Sequence, residues 1–159
     1  MSASASVHYV GLDIHKKLIA YCVKTKAGKT RDEGTIRATR RGLSDWLAKR
    51  RQPWIGAMEA TLFTGWVYDY LKPHARGIKV AHPAMLKAIA ASKKKNDRVD
   101  AQKIADLLRV DLLPECHMPS KQIRELRRKL RFRHMVLREA KRMKNPAVGG
   151  ADGGWDAIQ

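Results

Sequence analysis

Short apolar runs rich in β-branched and aromatic residues dominate the first eighty positions, and helical periodicity takes over afterwards. Val7 to Ile14 (VHYVGLDI) and Leu18 to Thr25 (LIAYCVKT) predict two strands. Lys26-Ala27-Gly28-Lys29 predicts a turn, and Thr30 to Ile36 a third strand that completes an antiparallel meander. Thr39 is placed to cap a helix carried by Leu43, Trp46 and Leu47. Trp54 to Met58 (WIGAM) predicts a short strand ending at Glu59. Leu62 to Leu71 then shows Phe63, Trp66, Val67, Tyr70 and Leu71 at helical spacing. Ile78 to Ala81 predicts another strand, and Pro83 to Ala91 a helix with proline in its first turn. Asn96 or Asp97 opens a further helix, in which Ile104, Leu107 and Leu108 recur among polar residues up to Val110.

Leu113-Pro114 to Met118-Pro119 reads as a break, followed by one long helix from Ser120 to Lys144. Ile123, Leu126, Leu130, Leu137 and Ala140 form its narrow apolar seam, the pattern of a helix that packs on one partner. From Pro146 to Gln159 the chain has no Lys or Arg and is rich in glycine, which predicts a flexible tail. The organisation expected is an α/β domain over 7–112, a basic linker helix over 119–145 and a tail over 146–159. Three strands, helix, strand, helix, strand, helix is the order of an RNase H-like mixed sheet with flanking helices. Order alone says little of function.

Charge narrows the partners. Lys and Arg outnumber Asp and Glu by 33 to 15, a formal net charge of +18, and such a field attracts polyanions. Nucleic acid is the expected partner. No apolar run is long enough to span a bilayer, and no membrane partner is expected. Cys22 lies in an apolar strand, and Cys116, beside His117, has no second Cys/His pair to complete a zinc site. Two isolated cysteines suit a reducing, cytoplasmic setting.

In so basic a chain the placing of acids is informative. Asp13 lies within an apolar strand, where a charge is costly unless paired or metal-bound. Glu59 ends the fourth strand, and strand ends of an open sheet are where ligands sit. Asp97 and Asp100 follow the run Lys93-Lys94-Lys95 and fall one turn apart at the start of a helix. Acids in a first turn also offset the helix dipole without further role. In an RNase H-like sheet the first and fourth strands are neighbours, so the four carboxylates would converge. Two Mg²⁺ ions, about 3.5–4 Å apart, would neutralise them and clamp the attacking and leaving oxygens of a phosphodiester. His15 shares a strand face with Asp13 and either reaches this site or serves as a structural histidine. Lys16, Lys93, Lys94 and Lys95 adjoin the acids and are candidates for phosphate contact. Arg124, Arg127, Arg128 and Arg131 of the long helix are candidates for nucleic-acid binding. Trp46, Trp54, Phe63 and Trp66 fall on apolar faces and are expected in the core.

Gly-Leu-Asp13-Ile-His-Lys, Met-Glu59-Ala-Thr, His82-Pro83 and Lys95-Asn-Asp97-Arg-Val-Asp100-Ala, in that order, resemble the DEDD-type transposases of the IS-one-ten (Piv/MooV-like) insertion sequences. The resemblance covers about Val7 to Asn145, the RuvC-like domain and the helix after it. It implies that Asp13, Glu59, Asp97 and Asp100 are the catalytic, metal-binding D-E-D-D set, with Mg²⁺ (or Mn²⁺) as cofactor. It also implies DNA recombination guided by a structured RNA, and assembly as homo-oligomers. Family members carry a catalytic serine in a second domain. Ser92 and Ser120 lie in segments matching the first domain and do not inherit that role. A truncated transposase is therefore the expectation, with a catalytically silent nucleic-acid-binding remnant and a stand-alone RuvC-type junction nuclease as alternatives.

Overall fold

A computed structural model describes residues 6–89 and 97–144, with the side chains of Asp97, Arg98 and Val99 left out. The expected tail over 146–159, the end of the Pro83–Ala91 helix and the lysine run 93–95 lie outside the described residues. After Met118 the chain divides into two units, taken separately below.

In the first unit five strands form one mixed sheet: β1 (His8–Ile14), β2 (Leu18–Lys24), β3 (Thr30–Arg37), β4 (Trp54–Glu59) and β5 (Gly77–Ala81). Their spatial order is β3-β2-β1-β4-β5. The meander β1–β2–β3 is antiparallel, whereas β4 joins β1 and β5 joins β4 in parallel. This mixed sheet with helices on both sides is an RNase H-like α/β fold. The parallel pairs follow from the helices between them, since a parallel return needs a crossover connection.

Alternation along the strands sorts side chains between two faces. Val10, Leu12, Ile19, Val23, Trp54 and Met58 point to one side. There they meet α1 (Arg40–Leu47) through Leu43 and Trp46, and α2 (Thr64–Leu71) through Val67 and Leu71. Thr39 caps α1, its hydroxyl accepting from the Gly42 amide at 3.1 Å. Trp46 and Trp54 are buried edge to face, 5.5 Å between centroids, so the tryptophans serve the core. Phe63 and Trp66 pack against the same cluster, partly buried.

The other face carries small residues. Ala20, Cys22 and Ala57 lie under α4 (Asp97–Arg109), which contributes Ala101, Ile104, Ala105 and Leu108, while α3 (Pro83–Ile89) contributes Leu86. Gly11 lets α4 settle directly on β1. A Cβ there would lie 2.1 Å from the Ala101 carbonyl oxygen and 2.5 Å from the Ala105 nitrogen. Polar contacts fix the helix direction. Lys24, opposite Tyr9 in the β1–β2 register, pairs with Asp106 near the far end of α4, and Arg109 donates to the same carboxylate at 2.7 Å. Burial alone would raise the Asp106 carboxyl, but the hydrogen bonds from Lys24 and Arg109 hold it below its usual range. Gln102 reaches Glu33 on β3 at 2.7 Å.

Two segments differ from their sequence pattern. α2 begins at Thr64 rather than Leu62, because the Thr64 hydroxyl accepts from the Thr61 amide (2.8 Å) and donates to the Glu59 carbonyl (2.6 Å). These bonds hold residues 60–63 in a turn and leave Leu62 at its exposed tip. The break after α4 is also tied down. Asp111 takes φ 57°, and the Leu112 amide bonds the Leu107 carbonyl at 2.9 Å, which ends the helix. The chain then lies along the edge of β5, with the Cys116 amide on the Val80 carbonyl and the His82 amide on the Pro114 carbonyl, both at 2.8 Å. Pro114 and Pro119 lack the N–H groups that would extend this into a strand.

The second unit consists, over its described residues, of α5 (Lys121–Lys144). Its first turn is tied to Ser120, whose hydroxyl and carbonyl accept from the Ile123 and Arg124 amides. No residue of α5 is buried, and Ile123, Leu126, Leu130 and Leu137 are exposed along it.

Candidate active site

The carboxyl ends of β1 and β4 meet the amino end of α4. Asp13 is one residue from the end of β1, on the Gly11 side of the strand, and is buried at 8% exposure. Glu59 is the last residue of β4 and shares its face with Ala57. The register that sets Leu12 beside Met58 makes Asp13 and Glu59 the next positions of neighbouring strands, on the same, α4-covered face. α4 runs opposite to β1, since Asp106 meets the Tyr9 end. Its first turn, with Asp97 and Asp100, therefore falls toward the end that holds Asp13. Asp97 starts the helix, and its side chain is outside the described set.

The electrostatics agree with this placement. Burial raises the Glu59 carboxyl above its ordinary range. The charges of Asp13 and Asp100 push in the same direction, against the opposing influence of Lys87 and His15. Three acids thus share one field. His15 Nε2 lies 3.0 Å from Asp13 Oδ2, so this half-exposed histidine reaches the Asp13 carboxylate, a contact that suits a satisfied structural histidine as well as a site residue. Lys103 stands 3.8 Å from Asp100, one turn along α4. Lys16 is exposed in the β1–β2 turn, directly after His15.

Lys87 has no signature in the sequence. It belongs to α3, and nothing in the local pattern links it to Glu59; only the packing of α3 over β4 and β5 does. Arg124 is half-buried and donates to the Pro119 carbonyl at 2.6 Å, while Arg127, Arg128 and Arg131 are exposed on α5.

The transposase family of DEDD type from IS110 elements has a model that matches residues 10–148, most of the chain. The chain belongs to this family of DEDD transposases. No curated protein matches it. Among the described residues, no helix of this transposase is long and apolar enough to cross a membrane.

Among the described residues no group of three or more His, Cys, Asp or Glu side chains is spaced to hold a metal ion. The donor chemistry nevertheless fits a hard divalent cation, which takes carboxylate oxygens. The upward push on Glu59 from Asp13 and Asp100 is the repulsion that a cation would relieve.

That repulsion has a pH signature. In an unfolded chain the Glu59 carboxyl ionises near 4.5, and in the folded transposase it does so at higher pH. The folded state therefore binds more protons across that window, and stability falls as pH rises through it. Glu59→Gln removes the penalty. In chelator, the variant is expected to melt above the parent at pH 7 and level with it below the carboxylate range. A melting difference that does not change with pH would show that Glu59 carries no such strain.

Proposed function

We propose that the first unit is the RuvC-like catalytic domain of a DNA recombinase, performing metal-dependent phosphodiester chemistry on DNA guided by a structured RNA. The observation that carries this reading is the shared field of Asp13, Glu59 and Asp100 at one end of an otherwise basic domain. Asp13, Glu59, Asp97 and Asp100 would hold Mg²⁺ or Mn²⁺. When bound, such ions stabilise charge on the attacking and leaving oxygens of a phosphodiester. The chain's own residues prepare the site. His15 holds the Asp13 carboxylate in place, and burial under α4 excludes water from one side of it. Lys16, Lys87 and Lys103 supply positive charge around the acids, which draws a phosphate backbone toward them. Arg124, Arg127, Arg128 and Arg131 give α5 a basic surface of its own, where phosphate contacts would position a nucleic acid without reading its sequence.

Titrating millimolar Mg²⁺ or Mn²⁺ into metal-free protein is expected to raise its melting temperature progressively, as a ligand specific to the folded state must. A melting temperature indifferent to both ions would remove the metal from this reading and leave a nucleic-acid-binding domain.

A further inference from the structure

The face opposite the carboxylates carries its own concentration of positive charge. Two adjoining hollows, of about 370 and 460 Å³, share Lys49; the second lies beside α1 and the first beyond its carboxyl end. Arg31, Arg50 and Arg51 line the first, over a floor of Val10, Val23 and Trp54; Arg37 and Arg41 line the second. Trp54, Val10 and Val23 belong to the cluster on the α1 side of the sheet, whereas Asp13 and Glu59 face α4. These hollows are therefore not an extension of the carboxylate site.

The charge is not balanced locally. Asp32 is already engaged, accepting from Arg50 and from the Tyr21 hydroxyl, with Arg50 laid over the Trp46 ring at 4.9 Å. Asp45 is the other acid lining either hollow. Among the described residues no ion pair engages Arg31, Arg37, Arg41, Lys49 or Arg51. All five are exposed. The first hollow's field reaches His8, whose imidazole is held below its ordinary range by burial and by Arg31 and Arg50.

Shape selects the ligand. Both hollows are open; the second runs along α1, a helix of eight residues, and the first continues past its carboxyl end from Lys49. Such a helix rises about 12 Å. One strand of a duplex carries three to four phosphates over that length, at about 3.4 Å each. A row of unpaired cations along an open groove suits a repeating anion better than a single small one. We propose that the α1 face is a second nucleic-acid surface, which grips the phosphodiester backbone of a strand other than the one presented to the carboxylates. The domain then stands between two backbones, one on each face of its sheet.

The test uses the whole chain with Arg37, Arg41, Lys49 and Arg51 all changed to Gln. Arg50 is left alone because it packs on Trp46 and pairs with Asp32. Binding of a stem-loop RNA and of a DNA duplex is measured against salt. The variant should bind the strand used by this face at least tenfold more weakly. Its log–log salt slope should be shallower by roughly 0.9 for each duplex phosphate it no longer neutralises, or roughly 0.7 for a single strand. Whichever of the two probes binds more weakly identifies the strand. Acetylation of Lys49 in the parent should slow at least tenfold on saturation with that probe. Unchanged slopes for both probes, or undiminished Lys49 acetylation, would overturn the proposal. So would equal protection of Lys49 by a polyglutamate of matched charge, which would make the surface a dock for acidic polypeptides. Circular dichroism of the variant matching the parent assigns the weaker binding to charge rather than to unfolding.

Discussion

Gly11→Ala is expected to destabilise the first unit at the upper end of the roughly 1–3 kcal/mol typical of overpacking, or beyond it. The added Cβ would meet main-chain atoms, the Ala101 oxygen at 2.1 Å and the Ala105 nitrogen at 2.5 Å. Side-chain clashes are relieved by rotamer changes, but a backbone clash moves the whole helix. α4 would have to lift off β1, loosening the packing of Ala101 and Ala105 on Ala20 and Cys22. A melting temperature lowered by about 10 °C is the expected result for a unit of this size. Gly77→Ala is the matched control, since nothing lies within 4 Å of its Cβ position. Function should suffer as well as stability. Asp100 directly precedes Ala101, so any lift of α4 draws it away from Asp13 and Glu59. Metal-induced stabilisation should therefore shrink in Gly11→Ala at temperatures where the variant is still folded. Equal melting of Gly11→Ala and the parent would mean that α4 does not make this close approach.

Asp13→Asn is expected to have opposite effects with and without divalent ions. Asp13 is buried, accepts from His15 and pushes up the Glu59 carboxyl by its charge. Asparagine keeps the volume and an accepting oxygen, so the His15 contact can persist. Without metal the variant should be as stable as the parent or more so, because one of the three neighbouring negative charges is gone. With metal the parent should gain about 2.7 kcal/mol at an ion concentration one hundred times its dissociation constant. The variant should forfeit most of that gain, its donor set being one charge poorer. Calorimetric Mg²⁺ titration paired with melting in chelator reads both arms. A variant less stable in chelator that nevertheless binds metal as the parent does would make Asp13 a structural acid.

Much of the fold was legible because local pattern and tertiary need coincide here. Alternation fixed β1 and β2, the Thr39 cap fixed the start of α1, and proline fixed the start of α3. Periodicity counts Leu62 as helical, whereas Thr61 and Thr64 exchange hydroxyl bonds that hold the chain in a turn, so α2 starts two residues later. Two prolines give the segment along β5 the pattern of a break and hide its backbone pairing from any pattern of side chains.

The sequence by itself determined which residues could do chemistry. An acid inside an apolar strand, another at a strand end and two at a helix start stand out against a basic chain because burying or clustering like charge is costly. It also determined the charge that draws nucleic acid. Only the tertiary structure decided that Asp13 and Glu59 share a face, through the parallel register of β1 and β4. It alone brought Lys87 within the field of Glu59 and set Gly11 against α4. And it gathered Arg31, Arg37, Arg41, Lys49 and Arg51 along the opposite face. The reason is one of distance along the chain. Periodicity reports which side of its own element a residue occupies, whereas the meeting of residues far apart in sequence depends on strand order and helix direction, which no single element encodes.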